Sequence, residues 1–188
     1  MDQTTPKPPA AAGEPSEFDR LVTEGLAASQ ADRKEDALAL FTRAGEADPS
    51  SGVPQFLIGS EHASAGDFAA AEQAYACAIL LAPDFTLARY QLGLLQFSTQ
   101  RPALAVLTWQ PLLALPPGDA LPHFVRGFGA LAREALDESL EHFRAGLACG
   151  PANPALSGDV LQLVQAMEQI EGPGRDGALL SAYGRGVH

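Results

Sequence analysis

Between Gly52 and Phe85 the apolar residues recur at i, i+3, i+4 and i+7, the spacing of amphipathic helices. The alternation expected of strands is missing. The spacing predicts one helical stretch carrying Val53, Phe56, Leu57, Gly59, Ser60 and Ala63. A break follows at Ala65, Gly66 and Asp67, and a second stretch, AAAEQAYACAILLA, stops at Pro83. The same block returns every 34 residues without slippage. Gly25, Gly59, Gly93 and Gly127 form one column; Ala37, Ala71, Ala105 and Ser139 form another. Phe41, Tyr75, Trp109 and Phe143 make a third, and Pro49, Pro83, Pro117 and Pro151 close each copy. A fixed period of this length marks a stack of identical supersecondary units.

The columns have physical roles. Gly59 and Ala71 are small, so the two helices of a unit approach closely where they cross, and larger residues there are costly. Tyr75 lies one turn after Ala71 and adds bulk on the same face. Pro83 cannot continue a helix interior and so ends the second helix. In the third copy Pro111 falls inside the second helix, nine residues after Pro102. A proline there removes a donor and clashes with the preceding turn, at about 3 kcal/mol unless the helix bends. The sequence therefore predicts a kink or early end near Trp109–Leu112.

These small, small, aromatic and proline columns resemble the tetratricopeptide repeat, a 34-residue helix–turn–helix unit. The resemblance runs over four units, 18–51, 52–85, 86–119 and 120–153. It is closest at AGDFAAAEQAY in the second unit. It implies an all-α, right-handed superhelical stack. Residues 1–15, with four prolines, are expected to be a disordered segment preceding a domain over 16–171. Ser16 is the expected first N-cap, with Asp19 completing a capping box. Residues 154–171 carry an apolar stripe of Val160, Leu161, Leu163, Val164, Met167 and Ile170, and are expected to cap the open end of the array with a polar outer face. Residues 172–188 are expected to be a flexible tail whose short apolar patch, Ala178–Tyr183, is a candidate for docking on this or a neighbouring molecule.

The formal net charge of −11 argues against nucleic acid and against anionic membrane surfaces. No apolar run is long enough to span a bilayer, and the first residues lack a signal-peptide core, so a cytoplasmic protein is expected. Two lysines stand against ten arginines amid abundant Ala, Gly and Pro, a composition suggestive of a bacterial, GC-rich genome. Cys77 and Cys149 sit two units apart, beyond the roughly 7 Å reach of a disulfide, and are expected to be small buried or half-buried residues. His62, His123, His142 and His188 show no metal-ligand spacing with Cys or carboxylates, and neither a phosphate loop nor a nucleophile elbow is present. The pairs Glu35–Asp36 and Asp137–Glu138 read as acidic first turns of helices. The expectation is a non-enzyme without metal or cofactor.

In tetratricopeptide arrays the first helices of successive units line a concave groove. The groove-facing places that the resemblance implies give Val22 and Leu26 in unit one, and Phe56 and Ser60 in unit two. They give Leu87, Tyr90, Leu94 and Phe97 in unit three, and Leu121, Phe124, Phe128 and Leu131 in unit four. No Lys, Arg or Asn of the kind that clamps a C-terminal carboxylate occupies any groove-facing place. An aromatic wall of this size implies an apolar peptide or amphipathic helix as client. The implied function is a protein-interaction module, an adaptor or dedicated chaperone, similar in its central repeat to bacterial chaperones of type III secretion. Two alternatives stand beside it. One is a homo-oligomeric assembly subunit whose groove takes its own tail. The other is a regulatory partner of an enzyme, acting through an acidic convex face.

Overall fold

The computed structural model describes residues 15–150 and 154–169, which are helical with short turns. Four helical pairs follow in order: α1 (Glu17–Gln30) with α2 (Lys34–Ala47), α3 (Val53–Ser64) with α4 (Phe68–Leu81), α5 (Thr86–Ser98) with α6 (Pro102–Trp109), and α7 (Ala120–Leu131) with α8 (Leu136–Ala148). A further helix, α9 (Pro154–Gln169), completes the described chain. The expected segments 1–15 and 172–188 fall outside it except for Pro15, as do the fourth column proline Pro151 and the patch Ala178–Tyr183.

Helix starts follow local chemistry. The Ser16 hydroxyl accepts from the Asp19 backbone N–H at 3.1 Å and the Asp19 carboxylate accepts from the Ser16 N–H at 3.3 Å, the predicted capping box. Asp67 and Asp119 cap α4 and α7 through the N–H groups of Ala70 and Leu121. Pro54 and Pro102 occupy first turns, where no donor is needed.

The first helix of every pair ends in one motif that the column reading did not isolate. Asp32, Gly66, Gln100 and Glu134 all take the left-handed conformation, with φ of 57°, 76°, 65° and 61°. The next N–H in each case reaches back five residues, as from Arg33 to Ala28 and from Ala135 to Ala130. These are Schellman turns, which satisfy the last carbonyls and reverse the chain. Only the second unit uses glycine there, so the column is invisible by residue type.

As Pro111 predicts, α6 stops at Trp109 and a 3-10 turn, Gln110–Ala114, takes over. The missing N–H at Pro111 ends the α-helical ladder, while the tighter turn keeps Leu112 buried.

The glycine column proves to be paired with the aromatic column rather than chiefly with the alanines. A Cβ on Gly25 would lie 2.4 Å from the Phe41 ring, and on Gly127 2.5 Å from Phe143. On Gly59 and Gly93 it would meet Tyr75 at 2.7 Å and Trp109 at 2.1 Å. Each ring occupies the space that a side chain on the glycine would take. This contact, repeated four times, sets the distance between the two helices of every unit.

The core is uneven. The first unit holds a small cluster of Ala28, Ala37 and Phe41, whereas the last two units and α9 share one large cluster. Two expectations are corrected here. Tyr90, Phe97, Phe128 and Leu131 are core rather than groove surface, and Leu94 and Phe124, although they touch cavities, are buried as well: each of the six is at most 5% exposed. They share one buried cluster with side chains of α9, and the Phe128 ring lies 5.3 Å from both Phe97 and Trp109. Cys77 and Cys149 are free thiols, as their spacing predicts, but both are exposed rather than buried. Cys77 lies on α4, and Cys149 caps the C-terminal end of α8, its thiol donating to the Ala145 carbonyl at 3.4 Å.

Candidate functional site

The apolar face of α9 explains what became of the expected groove. Leu156, Val160, Leu163, Val164 and Met167 pack into the cluster that holds Tyr90, Leu94, Phe97, Phe124 and Phe128. Glu168 of α9 pairs with Arg144 of α8, which anchors the far end of the helix. The opposite edge of α9 faces back along the array. Asp159 and Gln162 line one cleft together with Ser60 and Ser64 of α3 and Gln91, Leu94 and Ser98 of α5. A cap placed only on the end of the stack would not reach α3. This helix lies over the concave side of the last two units, so the aromatic groove is filled by the chain itself.

An open cleft of about 450 Å³ lies between α3, α5 and α9, with Phe68 and Tyr75 of α4 in its lining. Its floor is apolar, formed by Ala63, Phe68, Tyr75, Leu94 and Leu95. Its rim is polar: Ser60, Ser64, Gln91, Ser98, Asp159 and Gln162. The Tyr75 hydroxyl donates to the Ser60 hydroxyl at 3.3 Å, holding both at the wall. No lysine or arginine lines the cleft, and Asp159 is its one charge among the described lining residues. Burial raises the Asp159 carboxyl above the ordinary aspartate value. The hydroxyl of Tyr90 is pushed far up, first by its own burial and then by the negative charge of Asp159.

The predicted site residues thus divide. Phe56 and Ser60 are half-buried on α3, and its ring neighbours are Tyr75 at 5.8 Å and Phe85 at 5.1 Å from Phe56. Val22 is half-buried and Leu26 is 40% exposed on α1. Leu87 and Leu121 are half-buried and line a smaller cavity of about 220 Å³ with Leu156 and Ser157 of α9. Leu94 reaches the main cleft as floor. Tyr90, Phe97, Phe124, Phe128 and Leu131 are core. Sequence reasoning missed Gln91, Asp159 and Gln162. Gln91 follows a groove column by one residue, and Asp159 and Gln162 belong to the polar positions of α9, whose placement depends on how α9 folds back.

One polar network also went unread. Arg101 grips Glu72 with two hydrogen bonds, 3.0 and 2.8 Å, while the Gln96 side chain donates to Glu72 at 3.3 Å and accepts from Thr108 at 2.6 Å. It ties the second unit to the third. The Arg101 guanidinium, hydrogen-bonded to Glu72, holds that carboxyl below its usual value, with Gln96 adding to the effect. Among the described residues no group of three His, Cys, Asp or Glu side chains could hold a metal ion, and no helix is long and apolar enough to cross a membrane.

The architecture of paired helices at a 34-residue period is that of tetratricopeptide-repeat proteins, and by fold this chain is one of them. Three solved structures give the measure of the likeness. PilW, described as a widely conserved type IV pilus biogenesis factor, superposes with a TM-score of 0.64 at 13% identity, covering 90% of this chain and 91% of its own. YrrB, described as a tetratricopeptide protein with an unusual peptide-binding site, gives 0.56 at 20% identity over 87% and 82%. The first tetratricopeptide domain of Spaghetti (RPAP3), bound to the HSP90 peptide SRMEEVD, gives 0.55 at 24% identity over 62% and 96%. No protein-family model and no curated protein matches the sequence.

Proposed function

We propose that this protein is a non-enzymatic adaptor or dedicated chaperone that takes an extended segment of a client protein in the cleft between α3, α5 and α9. The fold and its solved neighbours support the class, a protein-interaction module. The cleft carries the finer reading. Its apolar floor suits one or two small apolar side chains, and its rim of Ser60, Ser64, Gln91 and Gln162 offers donors and acceptors to a peptide backbone. The absence of any cation among the lining residues speaks against capture of an acidic C-terminus of the SRMEEVD kind. With Asp159 in the wall and a net charge of −11, a neutral or basic segment is favoured. Under this reading the protein works in the cytoplasm, and the resemblance to secretion chaperones makes a hydrophobic client held before export the candidate partner.

The test is a photo-crosslinking residue placed at Ser64 in the source cell, with Ser60→Trp as a plug. One dominant crosslinked client, lost when the tagged chain also carries a bulky residue at Ser60, supports the proposal. Equal crosslinking from Ser64 and from a distant exposed site such as Glu46 would sink it.

A further inference from the structure

The hydroxyl protons around the cleft between α3, α5 and α9 are already engaged within the protein. Ser60 donates to the Phe56 carbonyl at 3.1 Å, Ser64 to the Ser60 carbonyl at 2.9 Å and Ser98 to the Leu95 carbonyl at 3.0 Å. The Tyr75 hydroxyl gives its proton to Ser60. A hydroxyl has a single proton but two lone pairs, so what these side chains still offer a visitor is acceptor capacity. Of the neutral side chains in the lining, only Gln91 and Gln162 keep donors, and each brings a carbonyl oxygen as well.

The charge in the lining has the same character. Asp159 makes no hydrogen bond or ion pair among the described residues. Burial raises its carboxyl, and no neighbouring cation draws it back. The helices around the cleft do not supply one. Glu61 on α3 has the same sign, and His62 lies 3.6 Å from Asp67. On α5 Arg89 donates to the Pro83 carbonyl, on α4 Glu72 is held by Arg101, and on α9 Glu168 pairs with Arg144. The cleft is therefore rich in acceptors, contains a partly desolvated carboxylate and lacks a cation of its own.

The floor decides what kind of cation fits. A hydrated metal ion seeks a shell of oxygens and gains nothing from apolar walls, whereas Ala63, Tyr75, Leu94 and Leu95 form an apolar bed. A long basic side chain lays its aliphatic stem along such a bed and keeps its charged head at the polar edge. That head carries several N–H donors and no acceptor, the complement of this rim. We infer, resting on the reading that the cleft takes a client segment, that the segment presents a lysine or arginine whose stem lies along Tyr75, Leu94 and Leu95 and whose head pairs with Asp159. The net charge of −11 draws a basic segment toward the whole molecule, but only Asp159 fixes its register in the cleft.

The probe is a fluorescent peptide of Ala, Leu and Ser carrying one central lysine. It is compared by anisotropy with the same peptide carrying norleucine, which keeps the stem and loses the charge. The full chain should bind the lysine peptide about tenfold more tightly. Asp159→Asn should erase that preference and leave the norleucine peptide's affinity unchanged. Glu46→Gln, which removes the same charge from α2, should preserve it. Asp159→Lys should favour a peptide with a central glutamate instead, and it carries the test if the asparagine variant loses helical signal. Ser60→Trp should abolish binding of every peptide. Equal affinity for lysine and norleucine overturns the inference, as does a lysine preference that survives Asp159→Asn or falls as much with Glu46→Gln. If Ser60→Trp still abolishes the binding in those cases, the client cleft itself stands. Binding that Ser60→Trp leaves intact, or no binding of any peptide, overturns the cleft reading and this inference together.

Discussion

The indole nitrogen of Trp109 donates to the backbone carbonyl of Tyr90 across 2.9 Å, inside the protein. The bond crosses from α6 to α5, and Gly93 lies directly under the same ring. A buried indole N–H without an acceptor costs about 1–3 kcal/mol, so this contact fixes both the tilt of the ring and the approach of the helices.

Gly93→Ala tests that approach. The new methyl would stand 2.1 Å from the indole nitrogen and 2.4 Å from the adjoining ring carbon. The expected loss is about 3 kcal/mol, the upper part of the range for overpacking. Gly118→Ala, where nothing lies within 4 Å, should be near neutral in the same urea titration.

Phe128 separates core from groove. Its ring is 1% exposed and stands 4.9 Å from Phe143, edge to face. Phe128→Ala should cost about 3–5 kcal/mol. A variant of wild-type stability would return this ring to the groove surface and reopen the aromatic wall to a client.

Ser139 fills an alanine column with a hydroxyl that is fully buried and has no hydrogen-bond partner among the described residues. Ser139→Ala removes an unpaid desolvation and improves helix propensity, so stability should rise by about 1 kcal/mol. A fall in thermal midpoint would show that the hydroxyl has found an acceptor.

Gln100 sits at φ 65° in the Schellman turn after α5. The left-handed conformation costs an L residue about 1–2 kcal/mol, offset for glycine by the larger entropy it loses on folding. Gln100→Gly should therefore stabilise by a few tenths to about 1 kcal/mol, and Gln100→Val should destabilise. Calorimetry of the pair decides the sign at each substitution.

Glu72 predicts an acid-side dependence. Its folded pKa is lowered by Arg101 and Gln96, so its contribution is present above the ordinary glutamate value and disappears as pH falls through the lowered one. Arg101 is 41% exposed, which limits the pair to about 1 kcal/mol or less. Glu72→Gln should flatten the stability profile from about pH 4.5 downward and lower the plateau above it. An identical slope in both proteins would remove the pair from the acid response. Asp159 acts in the opposite sense, since burial raises its pKa, and the Glu72 variant leaves that contribution untouched.

Much of the fold was legible because it is local and repeated. The periodic apolar residues, the break at Gly66, the early end at Pro111 and the Ser16–Asp19 cap each rest on interactions within a few residues. The Schellman column was not legible, since Asp, Gln and Glu are forced into a conformation that glycine alone announces. The Gly–aromatic pairing was half legible: two columns 16 residues apart were visible, but their contact depends on how two helices cross.

By itself the sequence determined the helical unit, its period and the stacking of four copies, because a hydrophobic stripe of period 3.6 has one way to be buried when the pattern repeats in register. It also marked α9 as amphipathic. Only the tertiary structure decided where that stripe goes. Tyr90, Phe124 and Phe128 present an apolar surface that any apolar helix can cover, and the burial free energy carries no directional information about which one. The covalent tether of α9 makes it the neighbour at hand, so the aromatic groove became core and the open site moved to the cleft beside Ser60 and Gln91.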